Sequence, residues 1–389
     1  MTPQLLNCQK ELFSLPEDVT YLNCAYMAPL LKSAEKAGIE GLQLKRAPFN
    51  INLYHFFEQV TELRKTYAKL IEAESENRII LMPSVSYGMG IVAKNLHLKK
   101  GDNIVVAAEQ FPSNVYPWMN LTQEKNAELI TIWPPNESQQ RGKAWNEQLL
   151  NAISEKTKLV AISHTHWADG TLFNLKELRK KTKEVGALLV IDGTQSVGAL
   201  PFSIKEIEPD ALICSSYKWL LGPYALTLGY FGEAFDGGKP LEEAWINRFD
   251  SDNFAGLVNY QDNYQEGALR YEAGGRSNFI LIPILQAALE QISNWGISNI
   301  NQYLAQLVEQ PISELRAIGC QIESTNYFSP HLFGIRLSSE FNTEKLKKNL
   351  ADEKVYVSFR GNAIRVSPYL YNQKSDLLKL VSIIDSSKH

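Results

Sequence analysis

Cysteine is scarce. The 389 residues include four, Cys8, Cys24, Cys214 and Cys320, far apart and with no C-x-x-C pair. That excludes a disulfide-knit scaffold, gives zinc-ribbon or dithiol chemistry nothing to build on, and fits a reduced, cytoplasmic setting. Charge of one sign is not in excess either: 39 Lys and Arg stand against 43 Asp and Glu, a net charge of -4. Composition therefore makes no electrostatic case for nucleic acid or an anionic membrane as partner. No run approaches the roughly 18 to 20 apolar residues of a membrane span, and the opening residues MTPQLLNCQKELFSLPEDV lack a basic segment followed by an apolar stretch. Internal repeats and low-complexity tracts are absent, and no G-x-G-x-x-G follows the early strands, which argues against a nicotinamide-dependent dehydrogenase. The basic cluster Arg179 to Lys183 falls late in a predicted helix, where it suits the negative end of the dipole and solvent.

What the chain does have is a regular alternation. At roughly 100 to 200 residues per domain its length suggests two domains. Between Asn77 and Phe231, short apolar runs recur at RIILM (78–82), NIVVAAE (103–109), ELITIW (128–133), KLVAISH (158–164), ALLVID (187–192), ALICSS (211–216) and ALTLGYF (225–231). Segments of helical length separate them, as in a mostly parallel sheet covered by helices. Asn174 is placed to cap the helix LKELRKKTKEV, and Gly186 stands where its end favours a left-handed residue. After Phe231 comes a polar stretch to Arg276, then the helix FILIPILQAALEQISNWG. The remainder reads as helices over 299–318 and 343–353 among strands CQIES, HLFGIRL, KVYVSFR and AIRVSP, with Gly361 and Asn362 turning a hairpin. The expected fold is α/β: a large domain over 15–270 with a seven-stranded sheet, and a smaller α+β domain over 271–389 joined by 1–14.

In an open parallel sheet ligands gather beyond the carboxyl ends of the strands. Ser84, Val85 and Ser86 enter a helix after the first strand and offer hydroxyls, N–H groups and the positive dipole end to a phosphate; an ordinary serine cap is the plainer alternative. Asp192 ends an apolar strand, where a carboxylate needs a partner, and Lys218 follows another, where a desolvated amine becomes a nucleophile. A structural ion pair between the two is the competing reading. His164 and His166, two apart with Asp169 nearby, have a spacing that a metal could use, but no third ligand is apparent.

The segment VIDGTQSVGALPFSIKEIEPDALICSSYKWLLGP (190–223) resembles the cofactor-lysine signature of pyridoxal-phosphate enzymes of the class V aminotransferase family, which includes cysteine desulfurases, kynureninases and isopenicillin N epimerase-like proteins. YLNCAYMAPL (21–30), GDNIVVAAEQFPSNVYPW (101–118), ISHTHWADGTLFNL (162–175) and VSFRGNAIRVSPYLYN (357–372) carry the likeness over essentially the whole chain. The resemblance implies a Schiff base between Lys218 and pyridoxal 5'-phosphate, Asp192 on the pyridine nitrogen, Gln195 on the phenolic oxygen and Phe111 stacked on the ring. It implies phosphate contacts from Ser84, Val85, Ser86, Ser215 and Tyr217, with Ser277 or Asn278 reaching across a homodimer. Arg365 is expected to bind the substrate carboxylate, with Arg360 as a second candidate and Trp167 narrowing the cleft.

Departures from the family pattern shape the functional reading. Phe111 stands where desulfurases carry histidine, Trp167 where many members have asparagine, Gly275 where a phosphate-binding threonine is common, and Tyr369 where a terminal histidine is usual. The stretch 357–368 contains no cysteine, so a thiolate that accepts sulfur is missing from its expected place. The expectation is an enzyme acting on an amino acid or similar carboxylated amine, aminotransferase or C–S/β-elimination lyase, and not a persulfide-forming desulfurase. A kynureninase-like hydrolase, an epimerase and a non-catalytic ligand-binding member of the fold are the alternatives.

Overall fold

The computed structural model describes residues 6–135, 140–361 and 363–389. β1 (Thr20–Tyr21) is followed by the seven expected runs, which form β2 (Ile79–Met82), β3 (Asn103–Ala107), β4 (Glu128–Ile132), β5 (Thr157–Ser163), β6 (Leu188–Asp192), β7 (Ala211–Ser215) and β8 (Thr227–Phe231). They make one sheet in the order β2-β8-β7-β6-β5-β3-β4, in which only β8 runs against the others. Every residue of β2, β3, β7 and β8 is buried, as continuous apolar strands between helical layers must be. Two buried clusters lie against the two faces. One includes Val105, Val160, Leu189, Leu212 and Trp145, and the other Ile104, Ala161, Val190, Ile213 and Trp118, the strand residues alternating between faces.

The helices are α1 (Lys32–Leu44), α2 (Gln59–Leu70), α3 (Val85–Asn95), α4 (Tyr116–Lys125), α5 (Arg141–Ala152), α6 (Leu175–Val185), α7 (Ile204–Ile207), α8 (Leu281–Trp295), α9 (Ile297–Ala317), α10 (Thr343–Asp352) and α11 (Lys374–Asp385). Asn174 caps α6, its side chain accepting from the Glu177 amide at 3.2 Å, and Gly186 ends it at φ 69°. Two basic residues of α6 are held in ion pairs, Arg179 with Asp210 largely buried and Lys183 with Glu208 at the surface. α3 sits unusually close to the sheet because Gly88 has no side chain: a Cβ there would lie 2.8 Å from Met82 Sδ and from Ile213 Cδ1.

Beyond the sheet, β9 (Phe333–Arg336), β11 (Ser358–Arg360) and β12 (Ala363–Val366) form an antiparallel three-stranded sheet in the order β11-β12-β9. β10 (Val355–Tyr356) instead pairs in parallel with β1. A third buried cluster joins these strands to α9, α10 and α11, and it also takes in Phe13, Leu22, Cys24, Ala25 and Leu31 from the N-terminal segment. The run CQIES is not a strand; its only ladder contact is the isolated bridge Gln321 to Arg336. Gly361 has the positive φ of a turn, 55°, while Asn362 lies outside the described residues.

Candidate active site

The strand ends converge on a cavity of about 240 Å³. β2 delivers Ser84, Val85 and Ser86, β3 Gln110 and Phe111, β5 Ser163 and Trp167, β6 Asp192, Thr194 and Gln195, and β7 Ser215, Tyr217 and Lys218. Because β8 is reversed, it contributes its first residue, Thr227, which pairs with both Met82 and Ser215.

Ser84 is the N-cap of α3, extended at φ -160°, its Oγ accepting from the Tyr87 amide at 3.2 Å. The cap and the anion site are therefore compatible, since the N–H groups of the first turn beyond it remain directed out of the helix. Ser86 Oγ donates to Ser113 Oγ at 2.8 Å, and Ser215 Oγ lies 3.4 Å from Thr227 Oγ1. Ser163 Oγ is buried in the cavity wall with no partner.

Asp192 and Lys218 do not form the ion pair that was the competing reading. Asp192 Oδ1 accepts from the Thr194 amide at 3.0 Å, and Thr194 Oγ1 accepts from the Ser215 amide at 3.1 Å, so Thr194 braces both strand ends. Burial raises the Asp192 carboxyl, only partly offset by Thr194 and Lys218. Among the described residues no carboxylate lies within 4.0 Å of Lys218 Nζ, which instead stands 5.7 Å from the Phe111 ring centroid and 5.5 Å from that of Tyr217. Burial, and next the nearby Arg365, lower the Lys218 amine to about 8.

Gln195 is fixed from several sides. Its Nε2 donates to Ala25 O at 3.1 Å, its Oε1 accepts from Trp219 Nε1 at 2.9 Å, and its backbone carbonyl is 2.6 Å from His331 Nε2. One amide hydrogen is left for a ligand. Phe111 meets Trp167 edge to face at 5.5 Å, and Trp167 Nε1 donates to Glu109 O at 2.7 Å. Arg365 does not line the cavity itself; it is 1 % exposed and adjoins Trp167, donating through Nη1 to the Trp167 carbonyl at 2.9 Å and through Nη2 to Ser358 Oγ at 3.4 Å. Its Nε is buried without a partner, and so is that of Arg360.

Ser277 and Asn278 are not in the wall of this chain's cavity. Ser277 Oγ donates to Phe56 O at 2.6 Å, and Asn278 Oδ1 accepts from the Ile280 and Leu281 amides at the start of α8. The two histidines part company: His166 is 3.2 Å from Asp169 and 3.1 Å from Glu109 O, whereas His164 lines a separate cavity with Phe202 and burial lowers it to about 4. Asp169 is taken up by Arg141 and Arg336 as well, and among the described residues no group of three or more His, Cys, Asp or Glu is arranged for a metal. Cys24 is fully buried, which pushes its thiol up to about 12. Tyr369 is buried in the same cluster, against Trp219 and Trp295.

Sequence reasoning assigned no site role to Gln110, Ser113, Ser163, Thr194, Tyr224 and Thr227, which line the cavity. Thr194 stood in the strand-end motif and was legible there. Thr227 depended on the direction of β8, and Ser113 on a 3-10 turn over Pro112–Asn114, neither of which periodicity encodes.

The wall fits pyridoxal phosphate. Hydroxyls and N–H groups at a helix start suit the phosphate, an unpaired amine suits the aldehyde, a buried carboxylate suits a protonated ring nitrogen, and the orphaned Ser163 hydroxyl gains a polar neighbour. Comparison with known proteins agrees. The sequence model described as aminotransferase class-V matches residues 52–380. The uncharacterized aminotransferase YcbU of Bacillus subtilis is 28% identical over 322 residues, covering 82% of this chain and 81% of its own. A cysteine desulfurase of Escherichia coli is 29% identical over 266 residues, covering 67% of this chain and 63% of its own. The solved complex of the cystine C–S lyase C-DES with its product cysteine persulfide superposes with a TM-score of 0.86 at 20% identity, over 96% of this chain and 99% of that one. The chain belongs to the class V aminotransferase family, and its cofactor is pyridoxal phosphate.

Proposed function

We propose that the protein acts on an α-amino acid as an aminotransferase, or as a lyase removing a β-substituent, with Lys218 as the catalytic amine. The observation that carries this reading is Arg365, a buried guanidinium bonded to the carbonyl of the cavity residue Trp167 and, among the described residues, with no carboxylate within 4.0 Å, which suits a substrate carboxylate. When bound, the cofactor supplies an electron sink for the bond broken at the substrate's α-carbon. The chain supplies the rest. Ser84, Val85, Ser86, Ser215 and Tyr217 would hold the phosphate, Asp192 would keep the ring nitrogen protonated, the spare Gln195 amide hydrogen would serve the phenolic oxygen, and Phe111 would stack on the ring. Lys218 Nζ takes and returns the α-proton, a role suited to an amine lowered to about 8. Trp167 walls the cavity against water.

We further propose a homodimer in which Ser277 or Asn278 serves the partner's phosphate; exposed Phe49, Trp245, Phe249, Phe254 and Val258 support such an interface. A cytoplasmic location is supported by four unpaired cysteines. Persulfide transfer to the protein is not part of the proposal: none of these cysteines lines the cavity, so the β-substituent would leave as a free small molecule, sulfide from cysteine or a persulfide from a disulfide substrate. For the proposed two-domain division near residue 270, the smaller unit's N-terminal share would extend past residue 14, because Phe13, Leu22, Cys24, Ala25 and Leu31 pack in the C-terminal cluster.

The test is the near-visible absorption of the holoenzyme with a panel of amino acids, with keto acid, ammonia and sulfide assayed together. An amine-dependent shift with keto acid formed only when an acceptor is present supports transamination, and ammonia release supports elimination. A protein that binds the cofactor but responds to no amine would overturn the reading in favour of a ligand-binding role.

A further inference from the structure

Resting on the amino-acid reading above, we propose that the preferred substrate carries a second acidic group and that Arg360 is the residue that selects it. Arg360 closes β11 and Arg365 lies in the facing β12, and both guanidinium groups stand over one indole: their central carbons are 5.5 Å and 5.9 Å from the Trp167 ring centroid. Among the described residues Arg360 Nη1 donates only to the Phe359 carbonyl, at 2.8 Å, and the Nε atoms of both arginines are buried without a partner. Among the described residues neither arginine has a carboxylate within 4.0 Å.

Most other buried and half-buried arginines among the described residues have a carboxylate, the half-buried Arg270, which donates to the Gly267 and Gly238 carbonyls, being the exception. Arg64 and Arg276, the other buried arginines among the described residues, share Glu272, and the half-buried Arg141 and Arg336 share Asp169. Two neighbouring guanidinium groups without a counter-ion repel one another, and burial together with Arg360 draws Arg365 down to about 10. Cation–π contact with one indole offsets part of that cost but neutralises neither charge. One substrate carboxylate satisfies Arg365 and leaves Arg360 uncompensated; a second acid on the side chain, as in a dicarboxylic amino acid or its oxo acid, completes the balance. Neutral side chains leave the desolvated Arg360 Nε unpaired, which is how a polar site rejects an analogue.

The experiment measures binding rather than turnover. Succinate and glutarate are titrated calorimetrically into the holoenzyme beside their monoamides, and aspartate and asparagine are compared through the absorption shift. The wild type is expected to favour each acid over its amide by about tenfold or more. Arg360→Gln should bring the ratio close to one, and Arg360→Lys, which keeps the charge but not the fork, should retain part of it. Circular dichroism and cofactor content establish that the variants are folded. Equal affinity for acid and amide in the wild type, or a preference that survives Arg360→Gln, overturns the second-acid proposal while leaving the amino-acid reading intact. If no amino acid, acidic or neutral, shifts the spectrum, the amino-acid reading has failed and the proposal falls with it.

Discussion

Replacing Arg365 with Gln changes the acidity of Lys218 before any substrate is present. In the cofactor-free protein the Lys218 amine titrates at about 8 against an ordinary 10.5, with burial the larger cause and the Arg365 charge the next. At pH 7 an amine of that acidity is neutral in about one molecule in eleven, compared with about one in three thousand at the ordinary value. Arg365→Gln removes the repulsion but keeps the burial, so the Lys218 titration moves upward and stops short of 10.5. Each unit of that movement removes about nine-tenths of the neutral amine at neutral pH. The assay is reductive methylation of the cofactor-free protein across a pH series, with Lys218 followed by peptide mass spectrometry and surface lysines as internal references. The wild-type rate should be half-maximal near pH 8 and the variant's midpoint higher. A wild-type Lys218 that titrates with the surface lysines, or a variant midpoint that does not move, refutes the electrostatic account.

Asp192→Asn should leave the cofactor bound and the sheet intact, because its Thr194 contact can persist, while turnover falls by about a hundredfold or more; turnover close to wild type would remove Asp192 from the electron-sink role. Gly198→Ala places a Cβ 2.3 Å from the Trp219 carbonyl at a φ of +102°, so a loss of at least about 1–3 kcal/mol is expected together with weaker cofactor binding through the displaced Lys218 loop. Thermal unfolding and cofactor titration check the two parts separately.

The strands were legible because a buried parallel sheet needs uninterrupted Val, Ile and Leu runs, and each such run in 78–231 became a strand. The α6 caps were legible because Asn174 and Gly186 have side-chain and backbone preferences that act locally. CQIES misled because an apolar-polar alternation states what a strand needs, whereas pairing requires a neighbour, and only Arg336 supplies one. Among the site residues, Lys218 and Asp192 stood out as charges beside apolar runs, yet their separation was a matter of tertiary placement. The fate of His164 was hidden for the same reason: both histidines lie past the end of β5 at Ser163, where side-chain alternation no longer predicts direction, and His164 and His166 serve different surroundings.

The pairing of β1 with β10 also has a consequence for biosynthesis. Thr20 and Tyr21 are aligned with Val355 and Tyr356, and the Cys24 amide donates to the Ser367 carbonyl at 3.1 Å. This segment, synthesised before its partners, therefore waits for residues more than 300 positions downstream, and long-range closure of this kind is slow relative to local helix formation. Gln195 leans on Ala25 of that same segment, so the cavity at the strand ends acquires its final wall only after β10 and β12 have been synthesised. A nascent chain halted before Val355 would expose Leu22, Cys24 and Leu31, giving chaperones a handle on an enzyme not yet able to grip its cofactor in full.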